Sequence, residues 1–120
     1  MDFEYFYGKQ SSQYAFYRIP KQLFTESQFD ALSIGAKLLY GMMIDRMELS
    51  QKNGWIDKHG RAYIYFTVDE VKDRFHCSND KAVKLMKELD SDKVIGLIES
   101  VMQGLGKPNI IYVKNFVGGS

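Results

Sequence analysis

Thr67-Val68-Asp69-Glu70 is a capping box: a threonine oxygen accepts from the N–H three residues on, while the glutamate reaches back to the threonine N–H. A helix therefore starts there, with Val71 and Phe75 on one face. His76-Cys77 then breaks the pattern, before Ser78 offers a second N-cap with Asp80 well placed against the helix dipole. Two helices separated by about three residues cannot lie side by side, so they cross steeply. In the second helix Ala82, Val83, Met86 and Leu89 form the predicted buried stripe, and Asn79, Lys81, Lys84 and Lys87 fall toward solvent. Residues 97–102 and 110–114 are β-prone runs around Gln103-Gly104-Leu105-Gly106-Lys107-Pro108-Asn109, whose glycines, proline and asparagine mark a hairpin tip. Helix, turn, helix and ribbon in that order make an α+β fold, a winged helix-turn-helix.

Upstream, residues 3–7 and 14–19 read as aromatic strands joined by a polar turn, an N-terminal β-hairpin arm over residues 1–19. Such a hairpin is marginal alone in water, and this one carries seven aromatic side chains, more than one small domain can cover. It is expected to dimerise the protein through Phe3, Tyr5, Tyr7, Tyr14 and Phe16.

The winged domain is expected over residues 20–116. Pro20 opens a helical turn reaching Phe24, and Thr25-Glu26-Ser27-Gln28 repeats the capping-box pattern. Ser33 caps the longest helix, Ile34 to about Leu49, whose apolar residues spread around more than half its circumference and place it centrally, with Asn53-Gly54 as its stop. A hairpin over 55–66, turning at 57–60, delivers the chain into Thr67. Residues 117–120 read as a linker or the end of an expressed fragment, with a further domain to follow.

A 45% hydrophobic content over 120 residues supports one domain core, and a single cysteine excludes an internal disulfide. An acidic N-terminus and the lack of a long apolar run predict a soluble, cytoplasmic protein with no membrane partner. The net charge of +1 gives no compositional support for a nucleic-acid partner, so any electrostatic footprint must come from arrangement. Between Asn79 and Lys93 the lysines hold the middle and most of the acids lie at the C-terminal end.

The tip is not a phosphate loop, because the glycine spacing is wrong and Pro108 follows Lys107 where Ser or Thr is needed. His59, His76 and Cys77 do not make a zinc set, and neither a Ser/His/Asp constellation nor a carboxylate pair has supporting context. No catalysis, metal or cofactor is expected.

Phe16-Tyr17-Arg18-Ile19-Pro20-Lys21, Gly35-Ala36-Lys37-Leu38-Leu39-Tyr40-Gly41, Asp45-Arg46-Met47, Lys52-Asn53-Gly54-Trp55, Lys81-Ala82-Val83-Lys84-Leu85 and the glycine-lysine-proline tip occur in an order that resembles the N-terminal domain of RepA N-terminal-family plasmid replication initiators. The likeness spans roughly residues 14–116. It implies a dimeric winged helix that binds repeated double-stranded origin DNA and is followed by a C-terminal domain through which host replication proteins are met. The strand before the tip, often basic in the family, carries Val101 and Met102 here. The segment 90–94 is also more acidic and longer than the family pattern suggests. Combined with the helix-turn-helix geometry, the resemblance makes Ser78, Asn79, Lys81, Lys84, Lys87, Gln103, Lys107 and Asn109 the expected DNA contacts. A transcriptional repressor using the same domain and a winged helix serving only protein association are the alternatives.

Overall fold

The computed structural model describes residues 2–8, 14–90 and 95–116. A short helix α1 (Gln22–Thr25) and a 3-10 turn (Ser27–Phe29) lead into the long helix α2 (Ile34–Asn53); α3 (Val68–Phe75) and α4 (Asn79–Leu89) follow, then β1 (Ile98–Val101) and β2 (Ile110–Val113). The helix-turn-helix and the wing both form.

Local chemistry sets most boundaries. Ser33 accepts from the Ala36 N–H to start α2, and Gly54, at φ 72°, ends it in the left-handed conformation. Helix α2 thus runs to Asn53, past the Leu49 limit expected from its apolar residues. Thr67 and Glu70 form the predicted capping box at α3 in both directions, and Ser78 accepts from the Lys81 N–H at α4.

Helix α2 packs against α4 and β2, and its buried side chains include Leu39, Tyr40 and Met43. Two carboxylates hold the helix-turn-helix on it. Glu70 of α3 pairs with Arg46 of α2, whose guanidinium also donates to the Tyr65 carbonyl at 2.7 Å and lies 4.7 Å from the Phe66 ring centroid. Partial burial pushes the Glu70 carboxyl up, but Arg46, the Thr67 N–H and Arg74 together hold it below the usual carboxylate range. Glu88 of α4 accepts from the Ser33 N–H and hydroxyl, both at 2.8 Å, and so lies at the positive end of the α2 dipole.

The wing strands pair antiparallel with Ile98 opposite Val113 and Val101 opposite Ile110. Ile64 joins β2 through reciprocal 2.9 Å hydrogen bonds with Ile111, and both side chains are buried. The expected 55–66 hairpin therefore keeps its turn and a single bridge, Ile56 to Ala62, while its far arm is drawn onto the wing. Asp57 stitches the two together, accepting from the Arg61 and His59 N–H groups, the Arg61 guanidinium and the Tyr112 phenol. Desolvation works against its charge, yet these donors hold its carboxyl well below the ordinary range. On the other flank the buried Tyr40 phenol donates to the Lys114 carbonyl, and burial pushes its pKa up to about 12.

Three further expectations are corrected. The α4 stripe is Ala82, Leu85 and Leu89, with Val83 and Met86 only half-buried, because the helix turns Leu85 onto Gly35 of α2. A Cβ at Gly35 would stand 2.9 Å from Leu85 Cδ2, so a glycine there permits the approach. Thr25-Glu26-Ser27-Gln28 does not form a capping box, since Thr25 Oγ1 donates back to the Lys21 carbonyl and Gln28 donates to Glu26. The aromatic segments 2–8 and 14–19 carry no strand among the described residues. Instead the chain follows α2 at its root: Ile19 Cγ1 would lie 2.6 Å from a Cβ on Gly41, with the Arg18 carbonyl oxygen 3.3 Å away. Most of the arm's polar turn, the acidic segment 91–94 and residues 117–120 lie outside the described residues.

Leu85→Ala is expected to lower unfolding stability by about 2–5 kcal/mol in urea titration, because its site against Gly35 cannot collapse. Val83→Ala should cost much less, under about 1.5 kcal/mol, reversing the ranking that periodicity alone suggests.

Candidate nucleic-acid interface

Helix α3 ends at His76, which adopts φ 51°, and the His76 and Cys77 N–H groups both close on the Lys72 carbonyl. The chain then turns through Cys77, a half-buried free thiol, to Ser78. This tight turn makes α4 start on the surface, with Ser78, Asn79 and Asp80 all exposed.

Lys81, Lys84 and Lys87 recur every third residue and are exposed, while Ala82, Leu85 and Leu89 on the inner side are buried. None of the three lysines is in an ion pair with another described residue. Of the acids on the same helix, Glu88 is engaged with Ser33, while Asp80 stands exposed in the first turn beside the lysines. A nearly neutral chain thereby presents a locally basic helix face.

At the wing, Lys107 and Asn109 are exposed, and the Lys107 N–H closes the tip on the Gly104 carbonyl at 3.2 Å. Asn109 and Pro108 line a groove of about 190 Å³ together with Met86 of α4, Val68 of α3 and Ser100 of β1. The groove joins the base of the wing to the half-buried Met86 side of α4. Two predicted contacts have structural work as well. The Ser78 hydroxyl caps α4, and the Gln103 side-chain amide donates to the Pro108 carbonyl at 2.8 Å across the tip.

Sequence reasoning missed Arg74, an exposed side chain on the last turn of α3 that donates to the Tyr17 phenol at 2.7 Å. Tyr17, Arg74, Arg46, Trp55 and Phe66 border a cavity of about 310 Å³ between the arm root and the helix-turn-helix. Its placement four residues after Glu70 was the only signal, and that spacing reads as an ordinary surface pair. The five aromatic arm residues named from sequence stay exposed, Phe3 and Tyr5 at 84% and 83%, with Tyr14 edge-on to Phe6 and Phe16. Among the described residues, no group of three or more His, Cys, Asp or Glu side chains is arranged to hold a metal, and no helix is long and apolar enough to cross a membrane.

The family described as the replication initiator protein A (RepA) N-terminus matches residues 15–119. A 41 kDa protein of Lactobacillus helveticus is 32% identical over 94 residues, which are 78% of this chain and 26% of that protein, so the chain spans about a quarter of this relative. Among solved structures, the N-terminal domain of a DNA-binding protein aligns at 32% identity with a TM-score of 0.73, covering 95% of this chain and 85% of the other. A Rep–DNA complex aligns at 33% identity and 0.73, covering 93% and 84%. The structure of an MDR initiator aligns at 32% and 0.70, covering 93% and 86%. These neighbours share the mixed architecture of helices and a two-stranded antiparallel sheet.

Ser78→Ala is expected to lower stability by about 1 kcal/mol through loss of the α4 cap. Asn79→Ala, one residue on, should leave the melting temperature nearly unchanged, and thermal unfolding of the two variants separates capping from surface contact.

Proposed function

Because the chain belongs to the family of the replication initiator protein A (RepA) N-terminus, we propose that it binds repeated double-stranded sequences in a plasmid origin as the DNA-binding domain of a replication initiator. The observation that carries this reading is the α4 face, where Lys81, Lys84 and Lys87 stand exposed while the nearby Glu88 is tied to Ser33.

In this reading α4 lies in the major groove. Asn79, in its first turn, pairs bidentately with adenine, and Lys81 or Lys84 reaches guanine O6 and N7. Lys87 meets phosphate, and Lys107 and Asn109 contact the backbone and minor groove beside it. Gln103 and Ser78 act mainly by shaping the wing tip and the helix start, their remaining polar capacity facing the duplex. The domain makes no covalent bond. It gathers protein on the origin, and host replication proteins are met through a region beyond this chain.

Two copies joined through Phe3, Tyr5, Tyr7, Tyr14 and Phe16 would place two recognition helices on half-sites one helical turn, ~34 Å, apart or a multiple of it. The exposed aromatic area of the arm supports this, since large apolar patches mark association surfaces.

In fluorescence anisotropy, a duplex of the cognate origin repeats should bind ~1,000-fold more tightly than a scrambled duplex, and binding should fall steeply with salt. Lys84→Ala should weaken binding, and if Lys84 also neutralises a phosphate it should reduce the salt slope by about 1. Equal weak binding to both duplexes would sink the proposal and leave a protein-association module. For the arm, removing residues 2–16 while keeping Tyr17 and Ile19 should give a monomer by sedimentation velocity. A dimer surviving that truncation would remove the arm from the interface.

A further inference from the structure

Leu105 is the most exposed large apolar side chain among the described residues, at 104% of its reference area, and Met102 at the base of the same tip is 79% exposed. Leaving a leucine fully in water forgoes the stabilisation its burial would give. The fold nevertheless holds this one out at the apex of a closed turn. Gly104 at φ 128° and Gly106 at φ 76° flank it with backbone conformations that other residues rarely adopt. The Lys107 N–H bonds the Gly104 carbonyl beneath it, and the Gln103 amide bonds the Pro108 carbonyl. Leu105 is thus a fixed apolar projection whose ribbon is braced on both sides.

We propose that Leu105 enters the minor groove as an apolar wedge beside the major-groove site of α4, with Lys107 on the flanking phosphates. This deepens the DNA-binding reading and rests on it. Three observations choose the duplex as occupant. A groove lined by Met86 of α4 and by Pro108 and Asn109 joins the wing base to the recognition helix, so the tip lies beside the helix proposed to hold the duplex. Beside the apolar Met102 and Pro108, the exposed Gln103, Lys107 and Asn109 around Leu105 are polar or cationic, which suits an anionic partner carrying hydrogen-bonding edges. The apex is also a two-stranded ribbon with glycines on either side of the leucine, thin enough for a narrow groove.

The chemistry then sets a preference. Leucine cannot pair with the acceptors on the minor-groove floor, so it reads shape: it fills the floor over A·T pairs and is obstructed by the guanine N2 amino group. Apolar wedges of this kind partly unstack a base step and bend the duplex toward the major groove, most easily at flexible pyrimidine–purine steps.

The test uses the origin-repeat duplex and the intact chain. Leu105→Ala should fold normally, with an unchanged melting temperature, and bind about tenfold more weakly. Its salt slope should match wild type, whereas Lys107→Ala should lower the slope by about 1. Exchanging the flanking A·T pairs for inosine·cytosine preserves the minor-groove pattern and should leave wild-type affinity intact, while exchange for G·C should weaken wild type but barely affect Leu105→Ala. Wild-type affinity in Leu105→Ala, or undiminished discrimination between G·C and inosine·cytosine, would overturn the wedge and leave origin binding standing. Dissociation of a dimer by Leu105→Ala would assign the side chain to a second copy and overturn it as well. If wild type shows no preference for the repeats, the DNA-binding reading itself falls.

Discussion

Two carboxylates place the helix-turn-helix on the central helix. Glu70 closes the α3 capping box and at the same time pairs with Arg46, near the middle of α2. Glu88, on the last turn of α4, accepts from the N-cap of α2. Each anchor combines a charge with hydrogen bonds to backbone donors, which makes it stronger and more directional than an exposed ion pair. Between them the apolar contact of Leu85 with Gly35 fixes how closely α4 approaches. Which side of α4 faces solvent follows from that approach, and the lysine face is its outer complement.

The same anchors explain how a chain of net charge +1 comes to show a basic surface. Counting charges over residues 79–93 gives a balanced segment, four lysines against four acids, and on that count the lysines are unremarkable. In three dimensions Glu88 is tied to the N-cap of α2, which leaves Lys81, Lys84 and Lys87 exposed with Asp80 beside them. Net charge governs solubility and long-range steering, whereas a binding face depends on how the charges are sorted.

What could be read from the sequence follows the range of the interactions involved. Thr67, Ser78, Ser33 and Gly54 act within one turn of chain, and each does what its local chemistry predicts. The wing tip was legible for the same reason, since Gly104 and Gly106 are required by their own backbone angles. Leu85 was missed because the orientation of a short helix depends on a partner fifty residues away, Gly35, whose missing side chain leaves no hydrophobic signal. The Glu88 anchor was invisible for a similar reason, and so was Arg74 against Tyr17. Thr25-x-x-Gln28 shows that even a local motif fails when a nearer partner competes, here the Lys21 carbonyl and the Glu26 carboxylate. The alternating aromatics of the arm resemble strands, but a ladder needs a neighbour, and none lies among the described residues.

The root of the arm sits where Gly41 lets Ile19 and the Arg18 carbonyl come down onto α2. Because α2 is also the body to which α3 and α4 are fastened, the arm and the lysine face are referenced to one rigid axle. The angle at which the aromatic segment departs is therefore not a property of the arm. A methyl group at position 41 would meet Ile19 Cγ1 at 2.6 Å, so the root of the segment would have to shift on the central helix, much as a signpost takes its direction from the post.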